Sequence, residues 1–191
     1  MPILALLIFG LGACTTTTST ETIPTRDNTD LPVDLLHNKG AARRALEAIE
    51  KAIGASPAQV GEIAIYPEYM IVEAQDPNVL DHIDRYTWRD DDVSPPEPVA
   101  LSGPQEDVDA SLYPTTAVNL ARLPEIVRAA ERELETARPL RIEEAITTYL
   151  YIERSTSIDG RVVIRLSISG PRRSGNVETT SSGEILTATV N

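Results

Sequence analysis

A chain with one cysteine, Cys14, cannot close a disulfide on itself, so outside a reducing compartment its fold must be held by burial alone. Aromatic side chains are almost as scarce. Phe and Trp occur once each and aromatics total 4%, which argues against a stacking platform for bases or sugars and leaves the core to Val, Ile, Leu and Ala. Positive charge is short too: 17 Lys and Arg face 29 Asp and Glu, a net charge of −12. Nucleic-acid phosphates repel such a chain, and so does an anionic membrane surface. The first apolar run, Ile3 to Phe9, falls well short of the roughly 20 residues a spanning helix needs.

Groups that could do chemistry are equally thin. The two histidines, His37 beside the N-terminal arm and His82 in a loop between strands, stand alone and read as solvated. No Gly-x-Ser-x-Gly elbow, phosphate-binding loop or zinc spacing occurs. Asp90, Asp91 and Asp92, with Asp84 nearby, could gather oxygen ligands for calcium, but adjacent carboxylates diverge along an extended turn. The expectation is therefore no catalytic residue, no metal and no cofactor.

What the chain does have begins at its N-terminus. The short apolar run passes through Gly10 into Leu11-Gly12-Ala13-Cys14 and then at once into Thr15 to Thr18. This stretch resembles the lipobox of bacterial lipoproteins. The resemblance implies cleavage between Ala13 and Cys14, a diacylglycerol on the Cys14 thiol and a fatty acid such as palmitate on its amine. Two acyl chains are enough for stable anchoring. With Thr15 rather than an aspartate after the cysteine, the resemblance favours the periplasmic face of the outer membrane.

Beyond Cys14, residues 14–37 are rich in Thr and Ser, interrupted by Pro24 and Pro32, and are expected to form a disordered tether. The spacing of Ala42, Leu46, Ile49 and Ile53 predicts a helix over 39–53, with Asn38 as its cap and Gly54 at its end. Strands are expected at 60–66, 69–74 and 83–89, the last carrying Tyr86 and Trp88 on one side. Residues 102–120, rich in Pro, Ser, Asp and Gly, read as a linker. A second helix then opens at Leu123-Pro124, and strands follow at 142–152, 162–168, 176–180 and 184–190.

The two halves repeat the same order of parts. Leu46, Ile49 and Ile53 match Val127, Ala130 and Leu134 at an offset of 81; Val60, Ile63, Ile65 and Tyr66 match Ile146, Tyr149, Tyr151 and Ile152 at an offset of 86. The expected fold class is α+β: two tandem modules, 38–101 and 121–191, each a helix followed by about four antiparallel strands. That order, with Ser182-Gly183-Glu184-Ile185 as a closing turn and strand, resembles the beta-lactamase inhibitor protein and the related PepSY modules. The resemblance implies binding or restraint of a partner protein on the open sheet face.

Candidate contact residues are Tyr86 and Trp88, which share a strand face and serve as an anchor if exposed or else pack on the first helix, and Arg172 and Arg173 in a loop. The functional expectation is a lipid-anchored envelope protein that binds a protein partner or serves as a scaffold, without catalysis. The alternatives are a carrier of a small apolar ligand held between the modules and a hydrolase built on paired carboxylates.

Overall fold

Ala42, Ala45, Leu46, Ile49 and Ile53 lie along one side of helix α1 (Ala41–Ile53) and are all buried. The computed structural model describes residues 33–101, 104–155 and 159–191. Gly54, at φ +83°, adopts the left-handed turn that closes α1 and donates its N–H to the Glu50 carbonyl. At the start of the helix Gly40 occupies the capping position; Asn38 offers only its backbone carbonyl, to the Ala41 N–H. The expected Asn38 side-chain cap is thus replaced by a backbone contact.

After α1 the chain runs through an antiparallel meander: β1 (Gln59–Ile65), β2 (Tyr69–Gln75), β3 (Ile83–Arg89) and β4 (Asp92–Val93). Asp90 and Asp91 take φ of +51° and +60°, the left-handed pair of a tight hairpin turn. Next come β5 (Glu97–Pro98), helix α2 (Gln105–Ser111) and β6 (Tyr113–Pro114), then α3 (Leu123–Thr136) with proline in its first turn. A second meander follows: β7 (Ile146–Arg154), β8 (Val162–Ser169), β9 (Ser174–Thr180) and β10 (Ile185–Val190). The chain is therefore α+β, with an antiparallel sheet and few helices.

All the strands belong to one sheet in the order β10-β9-β8-β7-β1-β2-β3-β4, with β5 on β3 and β6 on β1. The two meanders meet where β1 pairs β7 antiparallel, Ile63 opposite Ile152 and Ile65 opposite Leu150. α1 packs on β2 and β3, and α3 on β7, β8 and β10. Both helices cover the inner face over one continuous core that runs from Leu35 to Val177. The halves are thus not separate modules, each with its own sheet, because residues 32–191 make one unit.

Three expectations are corrected here. Residues 102–120 do not form a linker among those described: Tyr113 pairs with Val60 across β6 and β1, and Tyr113, Thr115, Val118 and Leu120 are all buried. The tether does not reach residue 37, since Leu35 and Leu36 are fully buried and the Leu35 N–H bonds the Pro67 carbonyl at 2.8 Å. Nor, among the described residues, does the β1–β7 seam leave room for a carried ligand, because it is filled by Ile63, Ile65, Leu150 and Ile152, each fully buried.

Candidate functional site

Alternation decides which side chains the sheet presents on the face that α1 and α3 leave open. In β2, Met70, Val72 and Ala74 turn into the core while Tyr69, Ile71, Glu73 and Gln75 turn out. In β7, Leu150 and Ile152 turn in while Tyr149, Tyr151 and Glu153 turn out. Because β1 lies between these strands, the outward rows of both halves become one surface.

At the lower end of that surface four of the six tyrosines converge. The turn Tyr66-Pro67-Glu68-Tyr69, closed by Tyr66 N–H to the Tyr69 carbonyl at 2.9 Å, stacks the Tyr66 and Tyr69 rings 4.3 Å apart and 12° from parallel. The β1–β7 register then brings Tyr149 to 5.5 Å from Tyr66, with Tyr151 edge-on to Tyr149 at 5.3 Å. The Tyr66 and Tyr151 hydroxyls are 3.3 Å apart, and the Arg89 guanidinium sits 4.6 Å above the Tyr69 ring. The hydrogen bond to Tyr151, followed by partial burial, raises the Tyr66 pKa. Partial burial, with Tyr66 alongside, does the same for Tyr69. All four rings are partly exposed. Beside them a shallow groove of about 230 Å³ runs past Tyr149, Tyr151, Arg165, Asn176 and Glu178.

Charged rows continue from the tyrosines. Arg85 on β3 donates to Glu73 on β2 at 2.7 Å, and Arg165 on β8 reaches both Glu153 on β7 and Glu178 on β9, the latter at 2.9 Å. Between the two arginines lies Glu62, in register with Glu73 on one side and Glu153 on the other. Half-burial raises the Glu62 pKa, and the two neighbouring carboxylates add to the effect. This row lies on an open face and not in a cleft.

The residues expected to make contacts are dispersed. Tyr86 and Trp88 are 6% and 4% exposed and belong to the core, so neither can anchor a partner. Their alternation on β3 was legible, but α1 covers that side. Arg172 and Arg173 are exposed at the β8–β9 turn. His82 is exposed, 3.9 Å from Asp81, whereas His37 is not a free loop histidine: its Nδ1 lies 2.8 Å from Asp34 and its Nε2 3.1 Å from Glu131. Burial opposes charge on the His37 ring, but the hydrogen bonds to Glu131 and Asp34 outweigh it and the pKa is raised. Ala13 and Cys14 lie outside the described residues.

Sequence reading missed the tyrosine cluster, although it carried a signal: Tyr66-Pro67-Glu68-Tyr69 is a turn with a ring at each end, and Tyr149-x-Tyr151 puts two rings on one strand face. Among the described residues no helix is long and apolar enough to cross a membrane, and no group of three or more His, Cys, Asp or Glu is placed to hold a metal ion.

No family model matches the chain, and no curated protein is similar to it. Among solved structures, the chain is similar to the crystal structure of a provisionally assigned lipoprotein from Clostridium difficile 630. The TM-score is 0.52 at 11% identity, covering 85% of this chain and 95% of that one. At that identity the likeness speaks for the fold.

Proposed function

We propose that this chain is a lipid-anchored protein of the bacterial cell envelope that binds a partner protein on the sheet face that α1 and α3 leave open, around Tyr66, Tyr69, Tyr149 and Tyr151, and runs no reaction of its own. The observation that carries the reading is the convergence of four partly exposed tyrosines in a chain with so few aromatics. Tyrosine combines apolar area with a polar tip at low entropic cost and is enriched among residues that dominate protein–protein binding energy. The flanking Arg–Glu rows supply a polar rim.

Support for the anchor comes from Leu11-Gly12-Ala13-Cys14 and from the fold shared with a protein described as a lipoprotein. We read the two halves as copies of one helix-plus-four-strand unit joined at their first strands, and Thr15 as favouring the outer membrane. Two measurements test the proposal. Labelled palmitate should enter the wild-type chain in cells and be lost on Cys14→Ser; labelling that survives the substitution rejects the anchor. A photo-crosslinking residue at Tyr69 should yield one discrete protein adduct that Tyr149→Ala weakens, while the same residue at Arg43 on α1 should not. Equal adducts from both sites reject the sheet face as the contact.

The hydrolase reading has one observation in its favour, the raised carboxyl of Glu62 between Glu73 and Glu153. If the purified chain hydrolyses any ester, glycoside or peptide substrate and Glu62→Gln abolishes it, this reading replaces the first.

A further inference from the structure

We infer that the corner of the sheet formed by the β8–β9 turn and the segment between α3 and β7 rests against anionic lipid headgroups; the inference builds on the anchored reading above. Arg172 and Arg173 occupy a turn closed by Gly170 N–H to the Arg173 carbonyl at 2.9 Å. With Arg141, Leu140 and Glu143 they line a groove of about 290 Å³. Arg141 lies 3.1 Å from Glu143, and Arg138 donates to the Thr136 and Ala137 carbonyls. Among the described residues neither Arg172 nor Arg173 has an ion-pair partner.

Several other arginines are engaged, Arg43 by Glu47, Arg85 by Glu73, Arg122 by Glu125 and Arg165 by Glu178, while Arg44 on α1 and Arg132 on α3 are exposed and have no ion-pair partner among the described residues. What sets this corner apart is that two unpaired guanidinium groups, Arg172 and Arg173, are adjacent in one turn, an arrangement suited to bidentate contacts with phosphate oxygens. Two large exposed aliphatic side chains lie at the same corner, Leu140 at 43% and Ile146 at 59%. Ile146 opposes Ser169, the residue just before the arginine turn.

The route of the chain is the independent observation. Leu35 bonds Pro67 in the β1–β2 turn, at the end of the sheet where β7 begins and β8 ends. The body is therefore held by its N-terminal segment at the same end as the arginines. Eighteen residues separate Val33 from Cys14, which even fully extended reach about 65 Å at most. An acyl group on Cys14 would keep this end within range of the bilayer. The other corner of that end carries Glu68, Asp90 and Asp91 against Arg89, whereas Arg141, Arg172 and Arg173 outnumber Glu143 and Glu144 at this one, so an anionic surface would draw the arginine corner in. The net charge of −12 does not prevent this, because screening over about 8 Å lets the nearest charges dominate at contact.

The test uses the chain from residue 14 onward with Cys14→Ser, which keeps every described residue and has no acyl group. It is sedimented with vesicles of phosphatidylcholine alone and of phosphatidylcholine with added phosphatidylglycerol. We expect about tenfold stronger partition onto the anionic vesicles, abolished by high salt and by R172E/R173E. R172Q/R173Q should fall between, circular dichroism should confirm that both variants are folded, and R43E on α1 should bind like the parent. Equal partition onto the two vesicle types, or an equal loss with R43E, overturns the inference. Since the tested chain carries no lipid, its failure leaves the palmitate result at Cys14 standing, and failed palmitate labelling leaves the vesicle result standing.

Discussion

The two halves of the sheet solve one packing problem with different materials. Under α1, the strands β2 and β3 supply Met70, Val72, Tyr86 and Trp88, and two large rings fill the space beneath a helix rich in alanine. Under α3 the strands supply Leu150, Ile164, Leu166, Ile168 and Val177, all aliphatic. There the fit depends on a missing side chain: a Cβ on Gly175 would sit 2.4 Å from the Thr189 carbonyl oxygen and 3.0 Å from Leu134. The outer strands differ as well, six residues in β10 against two in β4, where Pro95 and Pro96 stop the ladder. What the halves share is the seam and the outward row, each with one arginine held by carboxylates. Inner faces vary with what each helix leaves to fill, while the joint outer face keeps one character.

The largest expected effect comes from breaking the aromatic core of the first half. Trp88→Ala should cost about 3–5 kcal/mol and Leu134→Ala in the second half about 2–5 kcal/mol. Because one core spans both halves, each variant should still unfold in a single step in urea followed by circular dichroism. A biphasic trace for Trp88→Ala would show that the halves fold separately.

Tyr113 ties the crossing segment to the second half, donating its hydroxyl to the Ile152 carbonyl at 2.6 Å from a fully buried position. Burial pushes its pKa up, so it remains a neutral donor. Tyr113→Phe should lose about 1 kcal/mol by removing that buried hydrogen bond, read as a lowered urea midpoint at unchanged slope.

His37 links the entry segment to α3, and its pKa is raised on folding. Its contribution is therefore fully present below pH 6.5 and is lost as pH rises through the higher folded value. His37→Ala should destabilise by under about 1 kcal/mol at pH 5.5 and by less at pH 8. An unchanged or inverted difference between the two pH values would refute the pairing with Asp34 and Glu131.

The smallest effect belongs to the shared outer row. Glu62 has a raised pKa in the fold, so its ionised form opposes folding, and the penalty grows as pH rises from the unfolded value near 4.5 through the folded one. Glu62→Gln should raise the melting temperature by about 1–2 °C at pH 7 and leave it unchanged at pH 4. A lower melting temperature at pH 7 would mean that the carboxylate has a partner.

Local periodicity carried much of the fold. The α1 stripe, the alternation in β2, β3 and β8, and Pro124 at the start of α3 lie within short windows where spacing alone reports burial. The segment between the halves did not read this way, because Tyr113, Val118 and Leu120 are isolated apolar residues in a stretch rich in Pro and Asp. A two-residue strand has no period to detect. The site was hidden for a related reason: Tyr66 meets Tyr151 across 85 positions and His37 meets Glu131 across 94. Both contacts exist only once β1 pairs β7, a choice that no local window contains. Tyr86 and Trp88 share one side of their strand, and of the two expectations for them, a contact anchor or packing on the first helix, the structure has the second.

Leu35 and Leu36 give the molecule a mechanical property. Any pull arriving from the N-terminal side acts first on two buried leucines and one backbone hydrogen bond to Pro67, at the end of the sheet. The strand ladders of β1 with β2 and β7 lie behind that clasp, so it must open before they are loaded.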